Sequence, residues 1–254
     1  MNENIMNEIK DMLGELKIPG IKQGLSAKIA EAYKLNSSYE ELLRDLLREA
    51  CDVRQENGKK NRIRNASFPY KKYLEDLVCE HLPEQAQKKL KELKTLKFIE
   101  EKRNVILAGN PGTGKTHMSI GLGILACNMG YKVYFGTVPL LINELKECRS
   151  EKRLRQFEMK FEKYDLVIVD ELGYISFDKE GSELLFTYLS LRAERKSTLI
   201  TTNLSFDRWN EIFKDPVLTA AMVDRLTHKA HVINMNGNSY RVKETQEWLD
   251  NQSA

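Results

Sequence analysis

Asn104-Val-Ile-Leu-Ala-Gly-Asn-Pro-Gly-Thr-Gly-Lys-Thr116 is the stretch on which the reading of this chain turns. The apolar run Val105 to Ala108 leads into Gly109-Asn110-Pro111-Gly112-Thr113-Gly114-Lys115-Thr116. That is G-x-x-x-x-G-K-[ST], the P-loop pattern. The glycines permit backbone angles and close approaches that a Cβ would block. Backbone N–H groups can then turn inward around phosphate oxygens at a helix N-terminus. Lys115 supplies a point charge for the β- and γ-phosphates, and Thr116 a hydroxyl for Mg²⁺. A Gly-rich turn between strand and helix is the plain alternative. The partners that such a loop needs appear downstream.

The first partner is Leu166-Val-Ile-Val-Asp170-Glu171. Four apolar residues suit a strand buried on both faces. Asp170 at its end is placed to hold Mg²⁺, and Glu171 to polarise a water for attack on the γ-phosphate. The second is Thr198-Leu-Ile-Thr-Thr-Asn203, another buried strand with a polar end. Asn203 either faces the γ-phosphate or begins a turn before Leu204; the residues alone leave both open. Arg225, in the helix-like Thr219–Leu226, is read either as an arginine reaching a neighbouring subunit's phosphate or as a surface arginine paired with an acid.

Working outward, strands are expected at Asn104–Ala108, Lys132–Thr137, Asp165–Asp170, Thr198–Thr202 and His231–Met235, with helices between them. This alternation predicts a parallel α/β sheet covered by helices. Residues 1–65 show only helical periodicity. Ile5, Ile9, Met12, Leu13 and Leu16 share a face, Pro19-Gly20 stops that helix, and a short second one follows around Leu25 to Ala30. Ser38-Tyr-Glu-Glu41 is a capping box ahead of the stripe Leu42, Leu43, Leu46, Leu47 and Ala50. Residues 66–103 form a basic connector and a leading helix, Glu84 to about Lys97, with Pro83 in its first turn. Phe68-Pro69-Tyr70 interrupts the basic run and argues against one helix through it. The ATPase domain is expected over 104–254.

A chain of 254 residues, 41% apolar, holds one large domain or one domain with a small appendage. Net charge is +3 with 30% charged residues, so local clusters matter more than bulk charge. Cys51, Cys79, Cys127 and Cys148 are scattered without a C-x-x-C pair, which fits a reduced cytoplasmic chain and argues against zinc. No secretory leader or membrane-spanning run is read. Trp209 and Trp248 are taken as packing residues and the methionines as core filler, and His117 as facing the surroundings of its helix.

The motifs resemble the Walker A, Walker B and sensor-1 elements of AAA+ ATPases. The finer resemblance is to IstB-type transposition helper ATPases of insertion sequences, relatives of DnaC-like helicase loaders. It is carried by Ser67-Phe-Pro69, Asn110–His117, Asp170–Tyr174, Thr202–Leu204, Leu218–Leu226 and Ser239-Tyr-Arg241. The resemblance implies an AAA+ P-loop core with sheet order 5-1-4-3-2, a small all-helical N-terminal domain, and a reduced or absent lid. It places ATP against Gly109, Asn110, Pro111, Gly112, Thr113, Gly114, Lys115, Thr116 and His117. Asn203 becomes sensor 1, Arg225 an arginine finger acting in trans, and Arg241 a sensor-2 candidate.

Two basic clusters are candidate DNA contacts: Lys59, Lys60, Arg62, Arg64, Lys71 and Lys72 in the connector, and Arg149, Lys152, Arg153 and Arg155 between the second and third strands. Both equally suit a solvated charged surface. The expected function is an ATP-dependent, DNA-binding homo-oligomer that assists a cognate transposase, with duplex DNA favoured and hydrolysis releasing the assembly. A replicative helicase loader is the alternative. A metabolic P-loop kinase would lack the trans arginine.

Overall fold

The computed structural model describes residues 3–252. The chain divides into two compact units, Met1–Asn61 and Arg62–Ala254. The first unit is built from α1 (Glu3–Glu15), α2 (Pro19–Leu35) and α3 (Tyr39–Asn65). Its small core gathers Met6, Leu13, Ile21 and Leu25, with Ile9, Ile29, Leu46 and Ala50 against them.

Several expectations for this unit need correction. The buried face of α1 is Met6, Ile9 and Leu13, whereas Ile5, Met12 and Leu16 are exposed. Pro19 opens α2 at its first turn, and that helix runs 17 residues. Pro lacks the N–H that this position leaves unused. Leu43 and Leu47 are exposed, so only Leu46 and Ala50 of the expected α3 stripe join the core. The capping box is present: Glu41 N donates to Ser38 Oγ at 3.2 Å, and Ser38 N donates to Glu41 Oε2 at 2.9 Å. α3 continues through the first half of the basic run and stops at Asn65, ahead of Phe68-Pro69.

The second unit alternates helix and strand: α4 (Glu84–Leu93), α5 (Lys97–Glu100), β1 (Val105–Ala108), α6 (Lys115–Asn128), β2 (Val133–Thr137), α7 (Val138–Ser150), α8 (Leu154–Phe161), β3 (Leu166–Leu172), α9 (Lys179–Ser190), β4 (Ser197–Thr202), α10 (Asn210–Phe213), α11 (Pro216–Thr227), β5 (His231–Asn234) and α12 (Tyr240–Gln252). The leading helix ends four residues earlier than expected, because Leu96 turns into the left-handed region at φ 58°. The strands form one parallel sheet in the order β2-β3-β4-β1-β5. Read from the other edge this is the 5-1-4-3-2 order of an AAA+ core.

Side chains alternate across the sheet, yet both faces are dry. Val105, Leu107, Leu166, Ile168, Leu199 and Ile233 point into a core closed by α4, α5 and α6. Ile106, Val167, Val169 and Ile200 point into a second core under α7, α8, α9 and α11. Two apolar faces explain why β1 and β3 read as unbroken apolar runs. Burying each such side chain contributes roughly 1.5–3 kcal/mol. The free edge of β2 is met by Ala66, whose carbonyl accepts from Phe135 N at 2.8 Å. Phe68 packs on Phe135, with ring centroids 5.8 Å apart, so it is a packing anchor.

Two buried polar side chains tie the layers. Asn104 accepts from Thr198 N at 3.0 Å and donates to the Leu226 carbonyl at 3.1 Å, linking the start of β1 to β4 and α11. Arg192 is 3% exposed. It donates to the carbonyls of Phe161, Tyr164 and Ser197 and lies over the Phe161 ring. Burial pushes its pKa down to about 10, against the opposing pull of Asp165. Trp209 is fully buried, but Trp248 is 58% exposed and is not a packing residue of this unit. Nor are all methionines core filler, since Met12, Met129 and Met159 are exposed.

Candidate nucleotide-binding cleft

The Gly109–Thr116 loop joins the end of β1 to α6, at the carboxyl edge of the sheet, where ligands of such folds bind. Gly114 caps α6 in the left-handed region at φ 90°. Gly112 has φ 79°, and a Cβ there would collide with Ser239. The loop is therefore folded around positions that only glycine fills without strain. Its back is held by the segment after β5. Asn110 N donates to Asn236 Oδ1 at 3.1 Å, and Tyr240 N to the Gly112 carbonyl at 3.0 Å.

Lys115, 7% exposed, folds into the loop. Its Nζ donates to the Gly109 and Asn110 carbonyls, each at 2.6 Å. Burial lowers its pKa to about 8; Asp170 pulls it up and Arg241 pushes it further down. Thr116 Oγ1 donates to Asp170 Oδ1 at 3.2 Å. Asp170 is 2% exposed, and burial raises its pKa despite the hydrogen bonds from Thr201 and Thr116, the charge of Lys115 and the Glu171 N–H.

β3 does not end as a regular strand. Its register against β4 shifts between Val169 and Leu172. Glu171 takes φ 67° and stands exposed between buried Asp170 and Leu172. Bulges and left-handed non-glycine residues of this kind cluster at functional sites. Gly173 follows at φ 116°, close against Asn203.

A cleft of about 330 Å³ opens over the loop, within the usual range for small-molecule sites. Gly112 to His117, Glu171, Thr201 and Thr202 line it. Tyr70, Lys72, Asp76, Leu77, Val78, His81, Leu82, Tyr240, Arg241 and Glu244 also line it. His81 and Tyr240 pack ring to ring at 5.2 Å. The cleft thus combines the loop amides, suited to phosphates, with the aromatic rings of Tyr70, His81 and Tyr240, suited to a flat heterocycle. Thr116 and Asp170 are the pair that could hold a divalent cation beside the phosphates. No cluster of three or more His, Cys, Asp or Glu side chains able to hold a metal occurs among the described residues.

The sequence candidates are not all brought together. Lys115, Thr116, Glu171 and Arg241 line the cleft, and buried Asp170 lies behind its wall, hydrogen-bonded to Thr116. Asn110 contributes its carbonyl to Lys115 and its N–H to Asn236, not a wall of the cleft, and Pro111 is likewise absent from that wall. His117 lines the cleft, and its Nε2 lies 2.8 Å from the Tyr73 carbonyl, which pins the connector. Asn203 lines a neighbouring recess with Ala108, Gly109, Ser205 and Asn234; its Oδ1 is buried with no hydrogen-bond partner. Arg225 lies outside the cleft of its own chain. It is exposed on α11, its guanidinium 4.9 Å from the Phe186 ring centroid. Asp215 fixes the start of that helix by accepting from Val217 N and Leu218 N, both at 2.9 Å.

The basic clusters are mixed. Lys60, Arg64, Lys71 and Lys72 are exposed, but Lys59 pairs with Glu56 at 2.6 Å. Arg62 Nε donates to the Cys127 carbonyl at 2.6 Å, a packing role that the sequence did not suggest. Arg149 pairs with Glu180 at 3.3 Å and Arg153 with Glu151, while Lys152 and Arg155 are exposed. Sequence reading missed Thr201, Tyr70, His81 and Tyr240 as cleft residues. Only the pairing of Ser239-Tyr-Arg241 with the loop could have suggested Tyr240. No helix among the described residues is long and apolar enough to cross a membrane.

Comparison with known proteins agrees with this geometry. Solved structures with the same fold include AMPPCP-bound DnaA from Aquifex aeolicus (TM-score 0.56, 18% identity, 72% of this chain and 56% of that one). Another is the DnaC helicase loader (TM-score 0.51, 20% identity, 72% and 98%). Among relatives, the insertion sequence IS21 ATP-binding protein of Pseudomonas aeruginosa is 34% identical over 95% of this chain and 91% of its own length. That of IS5376 from Geobacillus stearothermophilus is 35% identical over 93% and 94%. The family model for IstB-like ATP binding proteins matches residues 11–248. With the loop, the acidic strand end and the AAA+ sheet order in place, the chain belongs to the IstB-like family of ATP-binding proteins.

Proposed function

We propose that this protein is an ATP-dependent DNA-binding oligomer that assists a transposase at its target site, with ATP hydrolysis releasing the assembly. The observation that carries this reading is the position of Arg225. It sits exposed on α11 and outside its own cleft, which is lined by Lys115, Thr116, Glu171 and Arg241. A second copy would bring that arginine to the γ-phosphate, so the nucleotide becomes a joint between subunits. Relatives named for insertion sequences, matched along nearly their whole length, support the transposition role.

In the proposed reaction the loop amides and Lys115 bind the triphosphate, and Arg241 adds charge from α12. Thr116 and Asp170 would hold Mg²⁺, which would supply neutralisation of the phosphate charge. Glu171 takes a proton from the attacking water as its oxygen bonds to the γ-phosphorus and the bond to the bridging oxygen breaks. Asn203 and the partner's arginine steady the transferred group.

DNA contact is assigned to the exposed members of the basic clusters that are neither in the cleft nor ion-paired above: Lys60, Arg64, Lys71, Lys152 and Arg155. A gel shift with duplex and single-stranded DNA, with and without a non-hydrolysable ATP analogue, tests the reading. Duplex should shift only with the analogue, and Lys60→Glu/Arg64→Glu should weaken binding and flatten its salt dependence. The fold shared with DnaC favours a second reading, a helicase loader. Preferential shifting of single strands would select it.

A further inference from the structure

We propose that Thr201 is a positioning residue for hydrolysis: its hydroxyl holds the β3 bulge that presents Glu171 to the cleft. This rests on the reading of Glu171 as the base for ATP hydrolysis.

Pairing along β3 and β4 is regular up to Val169 opposite Ile200 and resumes at Leu172 opposite Thr202. Between those points two residues, Asp170 and Glu171, face one, Thr201. A bulge of this kind deprives one residue of its ladder partner. Here the Glu171 N–H loses a backbone acceptor on β4, and Thr201 Oγ1 takes that place at 3.0 Å. The direction of the remaining bond follows. An N–H can only donate, so Thr201 Oγ1 accepts from Glu171, and its single proton is left for Asp170 Oδ1, 2.5 Å away. One buried hydroxyl therefore binds both acids of the strand end, to the backbone of one and the carboxylate of the other.

The consequence is geometric. Regular pairing would give Glu171 ordinary extended angles and put its side chain on the face opposite Asp170, where β4 and β2 neighbours are buried. At φ 67° it instead stands exposed at the cleft. A left-handed glutamate carries a backbone cost, so something must hold it. The hydroxyl of Thr201 is the side-chain group that bonds its N–H. Without that acceptor the part-buried N–H loses the hydrogen bond that ties it to β4, and the bulge relaxes toward another pairing. Asp170 is affected less, because Thr116 also donates to it. The expected loss is thus in the chemical step and not in nucleotide binding.

The test is steady-state hydrolysis by the full chain with wild type, Thr201→Val, Thr201→Ser, Thr198→Val and Glu171→Gln. Valine keeps the shape of threonine without the hydroxyl; serine keeps the hydroxyl. Thr198 lies on the same strand with a buried hydroxyl that has no hydrogen-bond partner, so Thr198→Val controls for buried hydroxyl loss as such. Thr201→Val should lower kcat by about ten- to a hundredfold with KM for ATP within about threefold of wild type. Thr201→Ser should restore kcat, and Thr198→Val should leave it unchanged. Three results would overturn the proposal: unchanged kcat in Thr201→Val, a rise in KM alone, or equal damage in Thr201→Ser. Wild-type turnover matched by Glu171→Gln would instead remove the underlying assignment of Glu171, whatever Thr201 does.

Discussion

Glu171→Gln should bind ATP with wild-type affinity and lose hydrolysis by about a hundredfold or more, the range of a missing general base. The carboxylate stands at the cleft on a backbone held at φ 67°, and the amide replaces it without changing size. The amide cannot take the proton of the attacking water. Lys115, Thr116 and the loop amides are untouched, so affinity is preserved. If hydrolysis is what releases the assembly, the variant should also persist on DNA with ATP in the way that wild type does only with a non-hydrolysable analogue. Nucleotide turnover and gel-shift lifetime measure the two effects separately. Turnover near wild type would mean that another group activates the water.

The second large effect belongs to Lys115. Lys115→Ala should weaken ATP binding by about a hundredfold or more, since charge-assisted hydrogen bonds to phosphate are each worth about 1.5–3 kcal/mol. The wild-type protein carries an independent signature of the same contact. Burial has lowered the Lys115 pKa to about 8. A triphosphate beside it favours the charged form and raises that pKa, so binding above pH 8 takes up a proton. Linkage then fixes the sign: affinity is flat below about pH 8 and falls as pH rises through it, by at most about tenfold per unit. Calorimetric titration with ATP across pH 7 to 9.5, in buffers of different ionisation enthalpy, reads both the slope and the proton uptake. Lys115→Ala should flatten that slope.

Much of this cleft was legible in the sequence, and the residues show where legibility ends. The P-loop is local: its eight positions carry their own geometry, so residue types and spacing suffice. β1 and β3 announced themselves as apolar runs because both sheet faces are dry. Their order in the sheet is a property of pairing, and it came from resemblance to a family. The Glu171 bulge is different. From sequence the strand is expected to end at Asp170, whereas β3 runs on to Leu172 through the bulge, and only Gly173 hints at an irregular end. Thr198, Thr201 and Thr202 are the same residue type on one strand, yet Thr201 alone meets both acids. That depends on register, which no single strand contains.

Distance in sequence hid the rest. His81 and Tyr240 meet over the cleft across a separation of most of the unit. Arg62 reads as one more charge in a basic run, but its Nε hydrogen-bonds the carbonyl that follows the apolar part of α6. The N-terminal helices failed for another reason. In α1 the apolar residues Ile5, Met6, Ile9, Met12, Leu13 and Leu16 cover more than one helix face, so periodicity admits several buried stripes. Packing against α2 selects Met6, Ile9 and Leu13.

The central claim is that a bound nucleotide is shared between two copies of the chain. Arg225→Ala retains an intact cleft and lacks the arginine; Lys115→Ala retains the arginine and lacks a working cleft. Each alone should hydrolyse ATP at a small fraction of the wild-type rate. The direct measurement is turnover of the two variants mixed in the presence of DNA. The shared site predicts that activity returns on mixing, because Arg225 of a Lys115→Ala subunit completes the cleft of an Arg225→Ala neighbour. A mixture as inactive as its components, or an Arg225→Ala protein already at the wild-type rate, would contradict it.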